Sequence, residues 1–285
     1  MSTASVSRKA VAPRSLWSRV QPTFVVLLVL LLLGLPLWMM VVTAGKSQAE
    51  ALSPNLSLPS DWQLWENMTE IFTRGNITAG FVGSLLIMVP SVLAVLLFGS
   101  MAAWVLARRA SRAMTVAYGA AISGVVLPPA VVTIVLLLRQ IGMSGSAIGM
   151  ICVYAGIYMS VVVFFVTGYV RTIPVELEEA ARVDGAGPVK IFARVILPLL
   201  VPVLSTATIL ICLYVWNDVF YAFFVLSGSL DTLPLNLYNV ASAGLYLNNW
   251  HLIFAYIILM SLPLLLVFMF MQRKIISGVT SGAVK

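Results

Sequence analysis

Residues 171–198 read R-T-I-P-V-E-L-E-E-A-A-R-V-D-G-A-G-P-V-K-I-F-A-R-V-I-L-P, and the rest of the chain is organised around them. This stretch holds eight of the chain's 17 Lys/Arg and 10 Asp/Glu side chains, and long apolar runs flank it on both sides. Its local structure follows from elementary rules. Pro174 suits a first helical turn, where its missing N–H costs nothing. Glu176, Glu178 and Glu179 fall near the positive end of the helix dipole. Ala180 and Ala181 favour continuation, and Gly185 can adopt the left-handed conformation that ends a helix. Gly187-Pro188 starts a second short helix, and Pro198 introduces the next apolar run. The expectation is a short helix, a sharp glycine turn and another helix, standing out from a bilayer.

Composition supports the bilayer. The 285 residues are 61% hydrophobic and only 9% charged, with a mean hydropathy of +1.03. That excludes an ordinary soluble globular domain. Apolar runs of about twenty residues recur, each long enough to cross a hydrocarbon core of ~30 Å as a helix. We read six spans, at about 24–43, 81–107, 113–138, 147–170, 199–226 and 251–271, within an all-α polytopic domain covering 24–271. Pro128-Pro129 predicts a kink or break in the third. A basic tail, 1–23, precedes the first span, a second tail, 272–285, follows the last, and the charged loop is 171–198.

The net charge of +7 suggests nucleic acid until its distribution is considered. With the N-terminus cytoplasmic, 14 basic residues lie inside, and only Lys46, Arg74 and Arg139 lie outside. The positive-inside rule therefore expects both termini and the charged loop in the cytoplasm. No nucleic-acid partner is implied; the membrane lipid is.

Several features are decoys. Ala44-Gly45-Lys46-Ser47 looks like the end of a phosphate-binding loop, but Met40 stands where its first glycine belongs. Asn55, Asn67 and Asn76 each begin an N-x-[ST] triplet, a glycosylation signal only in a eukaryotic secretory context. Cys152 and Cys212 lie in apolar runs with no companion ligands, and His251 is the sole histidine, so no metal site is expected. No nucleophile set or paired intramembrane carboxylates argue for an enzyme.

Asp218 is the one acid placed inside a span. Tyr214, Asp218 and Tyr221 follow i, i+4, i+7 spacing, and Asn217 is adjacent. Carboxylate, amide and aromatic groups suit a sugar pathway. A cap or ion pair at the outer interface, or a proton-coupling acid, remains open for the same residue. Tyr154 and Tyr158 share a face of the fourth span and either line a pathway or pack.

A family resemblance enters at the charged loop. Glu179-Ala180-Ala181, three residues ending in Asp184, Gly185, nine residues, Val195, one residue, then Leu197-Pro198 resembles the EAA loop of bacterial ABC-importer permeases, with Val195 where Ile is usual. Trp216-Asn217-Asp218 and Thr232-Leu233-Pro234 look like segments of the carbohydrate-type permeases. Gln272-Arg273 with Gly278, Thr280, Gly282, Ala283, Val284 and Lys285 is similar to the ending of the maltose-transporter-like ones. Val279 and Ser281 replace the usual Leu and Ala there, and no final glycine follows Lys285.

The resemblance implies a bacterial inner-membrane permease subunit that imports a carbohydrate, most simply an oligosaccharide, by alternating access. Its implied partners are a second homologous permease, two ATPase subunits and an extracytoplasmic sugar-binding protein. ATP and Mg would be bound by the ATPase and no cofactor by this chain. The loop would dock in an ATPase groove, and the tail at 282–285 would reach the ATPase dimer. The rival reading is a stand-alone proton-coupled secondary transporter using Asp218; a purely structural membrane subunit is a third.

Overall fold

The computed structural model describes residues 17–242 and 249–283, and every regular element among them is helical. Helix α1, Val20–Ala44, carries no charge and buries no side chain before Val42. A wider π turn at Leu30–Gly34 precedes Pro36, where the missing proline N–H interrupts the regular bonding. A polar connection leads to α2, Leu64–Arg74, and then to α3, Ile77–Arg108. The glycosylation-like triplet at Asn67 has a structural use, since its buried amide donates to Ala44 O and Lys46 O, both at 2.9 Å. Lys46, 1% exposed, turns inward, and its Nζ donates to Asn55 Oδ1 at 2.6 Å and Ser57 Oγ at 3.2 Å. A buried ammonium is tolerable only when so bonded.

Helix α4, Arg112–Val126, starts under a Ser111 cap, with Met114 N–H donating to its hydroxyl at 3.2 Å. It is separated from α5, Val131–Gln140, by a 113° bend at Pro128-Pro129. The break expected in the third span is therefore complete, and the two halves run in different directions. Helix α6, Ala147–Val170, is capped by Ser146 through Gly149 N–H at 3.0 Å. Next come α7, Glu176–Val183, and α8, Pro188–Leu199, bent 77° from α9, Val201–Trp216. Three short or terminal elements follow: α10, Phe220–Leu226; α11, Leu233–Ser242; and α12, Trp250–Ala283.

Among the described residues, four helices are long and apolar enough to cross a membrane, or up to six crossings if each bent pair is one span. The protein is an all-α polytopic membrane fold. One expected span is corrected. The run at 199–226 is not a single helix, because α9 stops at Trp216 and a fresh helix starts at Phe220. Conversely, 17–23 and the tail from 272 to Ala283 continue helices rather than standing apart. The rest of the expected N-terminal tail, 1–16, lies outside the described residues.

The core is the pair α3–α6, flanked by α9, with α4 and α10 against α6. Gly99 permits their close approach, since a Cβ there would lie 2.7 Å from Val162 Cγ1. Helix α12 packs on α9, on α2 and on the last turns of α1. Helix α11 crosses the start of α3, where Leu233 N–H donates to Ser84 Oγ at 2.9 Å. The expected T-L-P segment thus fastens the bundle at one end. The charged loop fastens the other.

Candidate functional site

The charged loop is built from its anchor outward. Glu178 sits on the inner face of α7 and is 2% exposed. Arg108 Nε, at the last turn of α3, donates to Glu178 Oε1 at 2.7 Å. Trp104 Nε1, one turn earlier, donates to Oε2 at 3.1 Å. Arg108 Nη2 also donates to Ile173 O at 2.8 Å, so one guanidinium ties both the helix and its lead-in. Below this, Phe192 lies 5.8 Å from the Trp104 ring, and Ile173, Ile191, Ile196 and Leu200 are buried. Such a pair is strong only because every polar partner is satisfied.

With one face pinned, the opposite face is presented outward. Glu179, Ala180, Asp184 and Gly185 are exposed, while Ala181 is half-buried against the core. Gly185 adopts φ +78°, and a Cβ there would meet nothing within 4 Å. Val183 and Val189, on either side of the turn, are 88% and 79% exposed. Two isolated valines this bare, ringed by Arg182, Lys190 and Arg194, form a small apolar knob on a charged stalk. Val195 and Leu197 are half-buried at the base, and Pro198 is exposed. A π turn at Phe192–Ile196 precedes Pro198, repeating the arrangement before Pro36.

The anchor was not singled out in the sequence. Arg108 reads as a topology charge and Glu178 as one of three dipole-facing acids. The available signal was facial: Glu178 shares the inward side of α7 with Ala181, at i+3, and Glu179 does not.

The second candidate lies between α6 and the end of α9. The structure does not place Tyr214, Asp218 and Tyr221 on one continuous helix face, because the helix ends at Trp216. Instead Asp218 caps α10: its carboxylate accepts from Tyr221 N–H at 3.3 Å and Ala222 N–H at 3.0 Å. Tyr154, 1% exposed, donates its hydroxyl to Asp218 Oδ2 at 2.8 Å. Tyr158 stacks on Tyr214 at 5.6 Å and lies 5.9 Å from Tyr154. The two tyrosines of the fourth span and those near Asp218 therefore form one cluster across two helices. Asn217 is turned away, its amide bonded to Leu213 O at 2.9 Å. Trp216 is structural, buried and donating to Met260 O at 2.9 Å.

Replacing Asp218 by Ala strands the buried Tyr154 hydroxyl and uncaps α10. The expected loss is about 1–3 kcal/mol for the orphaned donor, with Asp218→Asn recovering most of it through its remaining carbonyl oxygen. Thermal denaturation in detergent of the two variants beside wild type checks this.

The remaining expected site residues are in the C-terminal tail. The backbone of Gly282 and Ala283 continues α12, whereas Val284 and Lys285 lie outside the described residues. Among the described residues no group of three or more His, Cys, Asp or Glu could hold a metal ion.

Comparison with known proteins gives a consistent picture. Residues 95–281 match the model of the family described as "Binding-protein-dependent transport system inner membrane component". The melibiose/raffinose/stachyose import permease protein MelC of Bacillus subtilis (strain 168) is 34% identical over 258 residues, covering 88% of this chain and 91% of that one. The diacetylchitobiose uptake system permease protein NgcG of Streptomyces coelicolor is 30% identical, covering 87% and 82% respectively. Among solved structures, a chain of a bacterial ABC transporter involved in the import of the acidic polysaccharide alginate superposes with a TM-score of 0.78 at 21% identity. It covers 93% of this chain and 99% of that one, which establishes a shared fold.

Proposed function

Because the chain belongs to the family of binding-protein-dependent transport system inner membrane components, we propose that it is a permease subunit of an ATP-driven importer of a carbohydrate, most simply an oligosaccharide. It is a multi-pass membrane protein and a transport component rather than an enzyme. In the proposed assembly it works with an extracytoplasmic sugar-binding protein, a second homologous permease and two ATPase subunits, which hold the ATP and Mg. Both termini face the cytoplasm. The substrates for which these relatives are named, melibiose, raffinose, stachyose and diacetylchitobiose, support the carbohydrate class.

The observation that carries the reading is the pinned loop helix. A coupling element must move as a rigid piece with the spans, and its outer face must be free for a partner. The Glu178–Arg108–Trp104 contact meets the first requirement, and the bare Val183–Gly185–Val189 turn meets the second. In the proposed cycle, ATP-driven closure of the ATPase pair pushes on α7, and Arg108 passes that push to α3. The spans then exchange inward and outward access, and the tyrosine cluster around Asp218 lines the route. Ring faces of tyrosine and a carboxylate are groups that hold sugar hydroxyls and C–H faces. The tail at 282–285 reaches the ATPase in this reading.

A stand-alone proton-coupled transporter has less support. Asp218, its only residue, is already occupied by three donors and serves as a helix cap.

The direct test is a pull-down of tagged protein, wild type against Gly185→Asp. Open space around Gly185 lets the side chain be added without a clash, and the left-handed backbone costs the fold roughly 1–2 kcal/mol at most. Loss of partner is then a docking effect. Wild type should recover the ATPase and second permease, and the variant should keep the permease and lose the ATPase. Wild type purifying alone, with uptake that persists without ATP, would overturn the proposal.

A further inference from the structure

At the end of the bundle opposite Glu178, helices α5, α10 and α11 enclose a recess of about 450 Å³. This volume falls within the roughly 300–1,000 Å³ typical of small-molecule sites. Its walls combine two exposed rings, Phe223 and Phe224, with Arg139, Ser227 and Asn239. Arg139 is exposed and makes no ion pair among the described residues. The turn that shapes the floor is held in an unusual backbone state, Ser227 at φ +51° and Gly228 at φ +82°.

A run of aromatic rings on α10 leads from the recess toward the tyrosine cluster. Helix α10 follows the Asp218 cap and runs from Phe220 to Leu226, a length of roughly 10 Å. Along it the rings follow one another in contact. Phe220 lies 5.5 Å from Tyr221 and 5.2 Å from Phe224, and Phe223 lies 5.3 Å from Phe224 and 5.9 Å from Tyr238. Phe220, Phe223, Phe224 and Tyr238 are all 43–56% exposed, so no neighbour within this chain covers them fully.

We propose that this recess is a sugar-binding subsite at the extracytoplasmic mouth, where one ring of the transported carbohydrate rests before it reaches the tyrosine cluster around Asp218. The chemistry is that of a saccharide. A sugar ring offers a C–H face to an aromatic wall and a rim of hydroxyls to donors and acceptors. Phe223 and Phe224 supply the wall. Arg139 has five N–H donors and no acceptor, the Asn239 amide both donates and accepts, and the Ser227 hydroxyl, whose proton goes to Phe224 O at 3.1 Å, accepts. A lipid acyl chain would gain nothing from these three polar groups. The assignment rests on the importer reading for the direction in which the sugar travels, but binding to the recess is separately measurable.

The test is a protection experiment on the whole importer in right-side-out vesicles. Val135→Cys, in a Cys152→Ser/Cys212→Ser background, places a thiol on the recess wall one turn from Arg139. Ser227→Cys is the second reporter should the first fail to assemble. A membrane-impermeant maleimide labels the thiol, with raffinose, trehalose and N,N′-diacetylchitobiose as the probes. At least one should slow labelling roughly tenfold when present at about ten times its dissociation constant. Adding Arg139→Ala or Asn239→Ala should raise that constant roughly ten- to hundredfold, as for a lost hydrogen bond to a charged or buried partner.

Labelling that no probe slows overturns the subsite, even if uptake proceeds. Labelling that follows the phosphatidylglycerol content of the vesicles and ignores sugar also overturns it, assigning the recess to lipid. Protection without uptake of any probe upholds the subsite and counts against the importer reading instead.

Discussion

Glu178→Ala is expected to destabilise the protein by about 3–5 kcal/mol, the usual cost of removing one partner from a buried ion pair. The Glu178 side chain is 3% exposed and that of Arg108 16%, so the stranded guanidinium is mostly shut off from water. Trp104 Nε1 loses its acceptor at the same time. Glu178→Gln keeps the shape and one of the two acceptor positions, while its NH2 faces the other donor, so it should recover only part of the loss. A double-mutant cycle with Arg108→Met separates the pair itself from the stranded charge: the double variant should be less damaged than Glu178→Ala alone. Thermal melts in detergent read the stability, and protease cutting between Val183 and Val189 reads the loop. If α7 is the rigid coupling element, the Ala variant should also lose ATP-driven uptake while retaining ATPase on pull-down. That outcome separates transmission from docking, which Gly185→Asp probes.

Gly83→Ala is the second large effect. A Cβ at position 83 would lie 1.9 Å from the backbone oxygen of Asp231, and a backbone carbonyl cannot rotate aside as a side chain would. Overpacking of this kind costs about 1–3 kcal/mol, and more where neither side can yield. The displaced segment carries Leu233, whose N–H bonds Ser84, and Asn236, whose amide bonds Gly75 O at 3.0 Å. Both contacts should loosen together, which hydrogen exchange of α11 would register. Gly80→Ala, one turn away, is the control. Its nearest neighbours would be at 3.4 Å, ordinary contact, so it should melt close to wild type.

What the sequence reveals here follows from the range of the interactions involved. Helix–glycine turn–helix at 176–191 depends on neighbours within a few residues, and the φ of +78° at Gly185 appears where the left-handed position was expected. The break at Pro128-Pro129 was legible for the same reason. The break after Trp216 was not. Residues 203–226 contain no glycine or proline and are apolar on both sides of Asn217-Asp218, so nothing local announces a helix end. It is set by Tyr154, 64 residues away, holding the Asp218 carboxylate where it caps a new helix. The Arg108–Glu178 anchor spans 70 residues and was hidden for the same reason. Both residues carried adequate local explanations, topology for one and the helix dipole for the other. Long-range pairing gave the loop its footing and the tyrosine cluster its centre.

The seating of α1 has a consequence for how the protein is made. Before Val42 it buries nothing, and its last turns rest on α12, some two hundred residues further along. Gln48 Nε2 reaches Asn249 Oδ1 at 2.7 Å across 201 positions of sequence. Helix α1 therefore waits for α12 before it finds its main helical neighbour, with only local ties such as Asn67 to Ala44 O available earlier. At roughly 5–20 residues per second, that is a delay of roughly 10–40 s. During this interval only the connection to α2, through Asn67 to Ala44 O and Trp38 to Leu56 O, holds α1 to protein; lipid, or a helper that stands in for α12, covers the rest. A nascent chain stalled before residue 250 should then keep α1 inserted yet off the bundle, and completion of α12 is the step that seats it there.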